Sequence, residues 1–268
     1  MTSLKTILVS SLTLSLLLTG CSVDSDDAAA LSPGSGESTA VNSSYARLIA
    51  VGNYLYGVTE QELVTFNATD PSNPEEIDRQ DVGLDIETIY HLNGTLFIGS
   101  QQAMYTYTID VGGIPRRRGL FDYNFTATTV VVQPCDPVVV SDDIAYITLY
   151  SEQQVASRCG STTEFIELLV LVDVSNLDAP ELIDSFEVPT PRGLAVDGDL
   201  LFVCNDWSGL TVYDITERRS PTLIGEVPTH SFDAVAIDGL LIVVGPQRLT
   251  QFEYTPDGTL TELGTIDL

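Results

Sequence analysis

Lysine is all but missing from this 268-residue chain. The single copy is Lys5, and the other ten basic residues are arginine. Against them stand 38 Asp and Glu, for a formal net charge of -27. So acidic a chain has no counterion-releasing basic face, which excludes nucleic acid as a partner. Histidine is also scarce, with only His91 and His230. Neither has a nucleophile and an acid at an informative spacing. Gly-x-Ser-x-Gly is absent, as is any Asp-x-Asp-x-Asp-Gly calcium loop. The sequence therefore shows no catalytic constellation and implies no cofactor. Tryptophan occurs once, as Trp207. No apolar run reaches the roughly 20 residues that span a bilayer, and no amphipathic helix is discernible after residue 45. Disorder is excluded in turn, because 44% apolar residues with 11 Tyr and 9 Phe can build a core.

What is present begins at the N-terminus, Met-Thr-Ser-Leu-Lys-Thr-Ile-Leu-Val-Ser-Ser-Leu-Thr-Leu-Ser-Leu-Leu-Leu-Thr-Gly-Cys. Lys5 supplies a positive start, and Ile7 to Leu18 contains only apolar residues, Ser and Thr, as a secretory leader requires. Leu18-Thr19-Gly20-Cys21 resembles the bacterial lipobox. That resemblance implies cleavage after Gly20 and lipidation of Cys21, whose thiol accepts the diacylglycerol. Ser22 at the next position, where Asp favours inner-membrane retention, implies the outer membrane. Residues 22–44 are rich in Ser, Ala, Gly and Asp and carry no apolar period. They read as a flexible tether of roughly 25 Å root-mean-square reach. The expected organisation is a leader over 1–20, a lipidated Cys and tether over 21–44, and a globular part over 45–268. Loss of the leader leaves 10 Arg against 38 acids. Such a balance suits saline surroundings, where salt screens self-repulsion, and equally a genome that favours Arg codons.

From about Ala46 one motif recurs five times. It is clearest at Leu169-Val170-Leu171-Val172-Asp173-Val174-Ser175-Asn176 and at Leu210-Thr211-Val212-Tyr213-Asp214-Ile215-Thr216, with another copy at Leu63 and weaker ones at Met104 and Leu249. In the clear copies a Pro follows the first Leu by eleven residues (Pro74, Pro180, Pro221) and an Ile comes three later. The starts are separated by 41, 65, 41 and 39 residues, a period near 40 with one repeat enlarged by about 24. Before each motif lie two apolar runs around a tight turn: Gly52-Asn53, Asn93-Gly94, Asp142-Asp143, Asp197-Gly198 and Asp238-Gly239. Asn-Gly and Asp-Gly between apolar runs signal a hairpin, because both central residues take positive φ. In the fourth repeat the spacing predicts strands over 193–196, 200–203, 210–215 and 222–227. Four antiparallel strands per roughly 40 residues is the signature of a propeller blade. The expected fold is all-β, a propeller of about five four-stranded blades.

The segment Leu169 to Asn176 resembles the LVIVD repeat, with Leu171 in place of the Ile and Leu177 in place of the usual Pro. Asp70-Pro71-Ser72-Asn73-Pro74 and Ile215-Thr216 are looser echoes. The resemblance implies a secreted or surface-anchored bacterial or archaeal propeller with no assigned enzymatic activity.

The enlarged repeat indicates where to look for function. About ten extra residues lie between the second and third blades and carry Cys135 and Asp136. The remaining 14 or so, Ser151 to Glu164, lie between the second and third strands of blade three and carry Arg158 and Cys159. In a propeller both positions open on one face. Cys135 and Cys159 are the expected disulfide, in an oxidising compartment, each in an otherwise poorly anchored loop. Pairing of either with Cys204 is the alternative; Cys204 itself follows an apolar strand and reads as a small core residue. The same face carries Asp206 and Trp207. Trp207 reads either as an exposed interface anchor or as packing against the next blade. Arg116-Arg117-Arg118 reads as pairing with neighbouring acids rather than as an anion site. The expected function is a membrane-anchored, non-catalytic propeller on the bacterial envelope, on the periplasmic or surface side of the outer membrane. It would bind an unknown protein or polysaccharide through Trp207, Asp206, Asp136 and Arg158. The alternatives are a metal-dependent hydrolase or lyase with its site in the central tunnel, and a purely structural envelope component.

Overall fold

A computed structural model of the protein describes residues 46–123, 137–157 and 160–268, with backbone alone for 152–157 and 160–165. Twenty strands form five four-stranded antiparallel sheets, each from consecutive strands. Blade 1 holds β1 (Leu48–Val51), β2 (Tyr54–Val58), β3 (Glu62–Asn67) and β4 (Glu75–Asp81). Blade 2 holds β5 (Ile86–Leu92), β6 (Thr95–Ser100), β7 (Ala103–Ile109) and β8 (Pro115–Asp122). Blade 3 holds β9 (Val138–Ser141), β10 (Ile144–Ser157), β11 (Gly160–Asp173) and β12 (Glu181–Glu187). Blade 4 holds β13 (Leu194–Asp197), β14 (Leu200–Cys204), β15 (Leu210–Asp214) and β16 (Thr222–Val227). Blade 5 holds β17 (Asp233–Ile237), β18 (Leu240–Val244), β19 (Arg248–Tyr254) and β20 (Leu260–Asp267). The fold is all-β, a propeller of five blades, as the period predicts.

The turn chemistry explains the hairpins. Asn93 and Gly94 have φ of 48° and 74°, and Asp238 and Gly239 have 48° and 84°, so both central residues are left-handed as the hairpin requires. In blade 4 the turn sits one residue later than expected, at Gly198-Asp199. Asp197 instead pairs with Leu200 at the end of β13, because Gly198 alone takes positive φ there. His91 serves its turn: its Nε2 accepts a hydrogen bond from the Gly94 N–H at 3.0 Å, and burial lowers the imidazole's pKa.

Second and third strands are mostly buried, and β14 is buried at all five positions. The outermost strands β4, β12, β16 and β20 face solvent and hold ten of the 38 acids. Apolar clusters seal the junctions between blades 1 and 2, between blades 2, 3 and 4, and between blades 4 and 5. Polar tips add to them. The Tyr56 hydroxyl donates to the Gly113 carbonyl at 2.9 Å, Thr106 to Leu177 at 2.7 Å, and Tyr146 to Arg218 at 2.7 Å. Burial raises the pKa of both tyrosines, so the hydroxyls remain donors. Arg116 and Arg118 pair with Asp110 and Asp178, while Arg117 lies over the Tyr105 ring.

The second insertion differs from expectation. Its described residues, 151–157 and 160–164, do not form a loop. They extend the β10–β11 ladder, which continues nine pairs beyond Thr148↔Leu169, ending at Ser157↔Gly160. The result is a two-stranded ribbon of about 30 Å at roughly 3.4 Å per residue. The blade beneath templates the register. Its sequence, rich in Ser, Glu, Gln and Thr, carries no apolar alternation, so no strand pattern marks it.

Candidate functional site

The hairpin loops between second and third strands and the connections between blades emerge on one face. There the β14–β15 loop, Asn205-Asp206-Trp207-Ser208-Gly209, is tightly built. Asn205 N–H donates to the Gly209 carbonyl at 2.7 Å, and Ser208 N–H to the Asn205 carbonyl at 2.8 Å. Asp206 takes φ 48° and Gly209 φ 105°. A Cβ on Gly209 would stand 2.6 Å from the Val227 carbonyl oxygen, so the loop requires glycine there. Asp206 also bridges to Ser231 in the connection entering blade 5, through backbone hydrogen bonds of 3.0 and 3.1 Å.

This backbone places four side chains from three segments in line. The Asp206 carboxylate accepts from Arg192 at 2.9 Å on one oxygen and lies 2.6 Å from His230 Nε2 on the other. Arg192 in turn lies over the Tyr150 ring at 4.8 Å. The His230 imidazole carries the Trp207 indole on its face, with ring centroids 3.6 Å apart and planes 31° apart, and receives the edge of Phe232. Trp207 is 80% exposed. It stacks on His230 of the connection into blade 5 and is otherwise exposed. The aromatic platform is therefore fixed from below by a salt-bridged, largely buried carboxylate.

Beside it runs a groove of about 800 Å³ lined by Trp207, Pro228, Thr229, His230, Pro246, Gln247, Arg248, Asp267 and Leu268, a volume within the range of small-molecule sites. The Arg248 guanidinium makes no ion pair among the described residues. The face extends toward blade 3. Thr190, at φ 45°, donates its hydroxyl to the Asn205 carbonyl at 2.6 Å, and its N–H to Glu167 at the root of the ribbon. Of the expected site residues, Trp207 and Asp206 are thus brought together. Cys21, Cys135, Asp136, Arg158 and Cys159 lie outside the described residues. Cys204 is unpaired and fully buried, and burial pushes its thiol pKa well up. Among the described residues, no three His, Cys, Asp or Glu side chains are disposed to hold a metal ion.

The LVIVD repeat profile matches residues 166–188 and 191–229, which carry the third and fourth strands of blade 3 and nearly all of blade 4. Over those residues the chain carries LVIVD repeats. Solved structures agree on the fold. A functionally unknown protein from Desulfotomaculum acetoxidans superposes with a TM-score of 0.58 at 13% identity, over 85% of this chain and 70% of that one. A protein from Lactobacillus plantarum gives 0.55 at 15% identity, over 81% and 69%. The computationally designed Ika8 protein gives 0.54 at 8% identity, over 82% and 60%. No curated protein matches in sequence. In these repeats the closing Asp of the motif has a physical role. Asp173 and Asp214 accept hydrogen bonds from the backbone N–H two residues on, Ser175 at 2.9 Å and Thr216 at 2.8 Å. Each thereby caps the turn into the fourth strand.

His230 is the site residue that sequence reasoning passed over. Its partner Asp206 is 24 residues away, in the loop of the preceding blade. The available signal was the repeat itself, which assigns both residues to neighbouring positions on one face.

Proposed function

We propose that the protein is a lipid-anchored, non-catalytic propeller of the bacterial envelope. In this reading it binds a polysaccharide through the loop face centred on Trp207. The observation that carries the reading is an indole 80% exposed yet fixed by stacking on His230, at the edge of a groove. A sugar ring presents an apolar C–H face that lies flat on such an indole. Its hydroxyls need planar donors and acceptors at the rim, which Arg248, Gln247 and Asp267 supply. Neutralisation of Asp206 by Arg192 keeps an unpaired carboxylate from forming beneath the platform. The leader and Leu18-Thr19-Gly20-Cys21 support the anchor, and the tether over 22–44 supports a domain free to reorient toward a cell-wall or surface glycan.

Trp207 is the chain's only tryptophan, so intrinsic fluorescence reports on this site alone. Titration with a panel of envelope and extracellular polysaccharides should quench and shift that emission for at least one of them. The same polysaccharide should no longer retain Trp207→Ala in a pull-down, while Arg116→Gln, remote from the face, is retained as wild type is. If no polysaccharide alters the emission, or if Trp207→Ala is retained equally, the reading is wrong.

A further inference from the structure

Each blade presents two apolar faces, one toward the preceding blade and one toward the following blade. The repeat makes equivalent positions comparable across blades. In blade 4 the face toward blade 3 includes Leu194, Leu201 and Val203, all at 0% exposure. Their equivalents in blade 1 are Leu48, Leu55 and Gly57. Leu48 is 61% exposed, and the other two are half-buried. The face of blade 4 toward blade 5 includes Ala195, Leu200, Phe202, Cys204 and Leu210, all between 0% and 3% exposed. Their equivalents in blade 5 are Val235, Leu240, Ile242, Val244 and Leu249, every one only half-buried, with Ile266 of β20 beside them exposed at 53%. The innermost strands adjoin in the order β1, β5, β9, β13 and β17, but β17 and β1 do not adjoin in the same way. No apolar cluster joins blades 5 and 1 among the described residues.

Among the described residues, one junction is therefore unfilled, split into two halves. Both halves consist of the residue types that are buried at the four filled junctions. What fits the blade 5 face is the kind of surface that blade 1 offers, because that is what every following blade offers to its predecessor. We propose that the protein self-associates head to tail, the outer face of blade 5 in one copy packing on the outer face of blade 1 in another. The contact is heterologous: each copy contributes a different patch, so two copies can exchange both patches or further copies can add on. Burying Leu48, Ile242 and their neighbours supplies the apolar drive. The net charge of -27 on each copy opposes it, so association strengthens with salt. This inference uses neither the Trp207 site nor its ligand.

The test uses Ser38–Leu268, a compact unit that holds all twenty strands. Sedimentation equilibrium at high salt should show the average mass rising from that of one chain to at least twice that as concentration increases. Leu48→Asp alone and Ile242→Asp alone should each remain single chains. Mixed in equal amounts they should form a heterodimer of twice the chain mass, because the first retains a good blade 5 face and the second a good blade 1 face. Circular dichroism verifies that both variants fold. Should either fail to, Leu48→Cys in an otherwise unaltered chain gives an independent reading: its labelling by a thiol reagent should slow as protein concentration rises. A single-chain mass at every concentration, a mixture that gives no heterodimer, or labelling independent of concentration overturns the proposal. Labelling that is slow at every concentration assigns closure of the ring to the single chain.

Discussion

Asp173 shows how one motif residue is held by local chemistry. Its carboxylate accepts from the Ser175 hydroxyl at 2.6 Å and from the Ser175 N–H at 2.9 Å, and pairs with Arg219. These bonds favour the charged form, and the Ser175 hydroxyl is the largest cause of its lowered pKa. A depressed folded pKa contributes stability above the unfolded value, near 3.9, and that stability is lost as pH falls through the folded value. Removing the acceptor in Asp173→Ala should cost about 1 kcal/mol at neutral pH, the scale of a charge-assisted hydrogen bond in a partly exposed turn. It should also flatten the decline in stability below pH 4. Urea midpoints of wild type and variant between pH 3 and 7 measure both effects. Equal slopes on the acid side would refute the assignment. Asp206 answers a different need, since its turn is closed by backbone bonds and its side chain serves the platform. Losing the carboxylate in Asp206→Asn should leave the fold intact yet loosen the Trp207 ring, seen as lower steady-state anisotropy of the single tryptophan.

At the scale of elements, equivalent strand positions in neighbouring blades meet different surroundings. Phe202 is fully buried in β14 against Tyr254, with ring centroids 5.0 Å apart. Phe202→Ala should cost about 3–5 kcal/mol, the usual range for a large aromatic cavity. Ile242 occupies the matching place in β18 but is only half-buried. In dilute protein, Ile242→Ala should cost about 1–2 kcal/mol, because only part of the side chain is out of water. Denaturant unfolding of the two variants at low concentration makes the comparison, and a cost for Ile242→Ala near that of Phe202→Ala would show the blade 5 face to be covered. Strands and turns of this kind were legible in the sequence. Asn93-Gly94 and Asp238-Gly239 require left-handed φ, and the recurring Leu and Pro offsets mark strands three and four of each blade. The ribbon was not legible as strand, since the Ser, Glu, Gln and Thr of 151–164 leave no apolar alternation to read. Half of the candidate site was legible as well. Asp206 and Trp207 sit in a loop whose place follows from the repeat. Their stacking and pairing with His230 joins two loops across a blade boundary, which no local spacing encodes.

For the whole molecule the balance of charge decides how stability responds to salt. Several of the 38 acids are engaged by arginine, but those pairs are largely exposed. Arg118 and Asp178 are 38% and 59% exposed at the side chain, and Arg79 and Glu62 are 44% and 39%. Exposed pairs contribute little each, and screening them costs correspondingly little. The carboxylates of β4, β12, β16 and β20 stand on outer strands with far fewer cations nearby. Their mutual repulsion acts over distances that the Debye length cuts from about 10 Å at 0.1 M to about 3 Å at 1 M. With -27 charges on the chain, the relief of repulsion outweighs the loss of attraction. The thermal midpoint should therefore rise between 0.1 and 1 M NaCl. For a domain of this size each 1 kcal/mol corresponds to about 2–4 °C. KCl should act equally, since screening depends on ionic strength and not on the identity of the cation. At low protein concentration, where no contact between copies contributes, a midpoint that stays level or falls would mean that the surface pairs, and not the excess acid, govern the electrostatics of the fold. A rise in NaCl alone would point instead to a site for that cation.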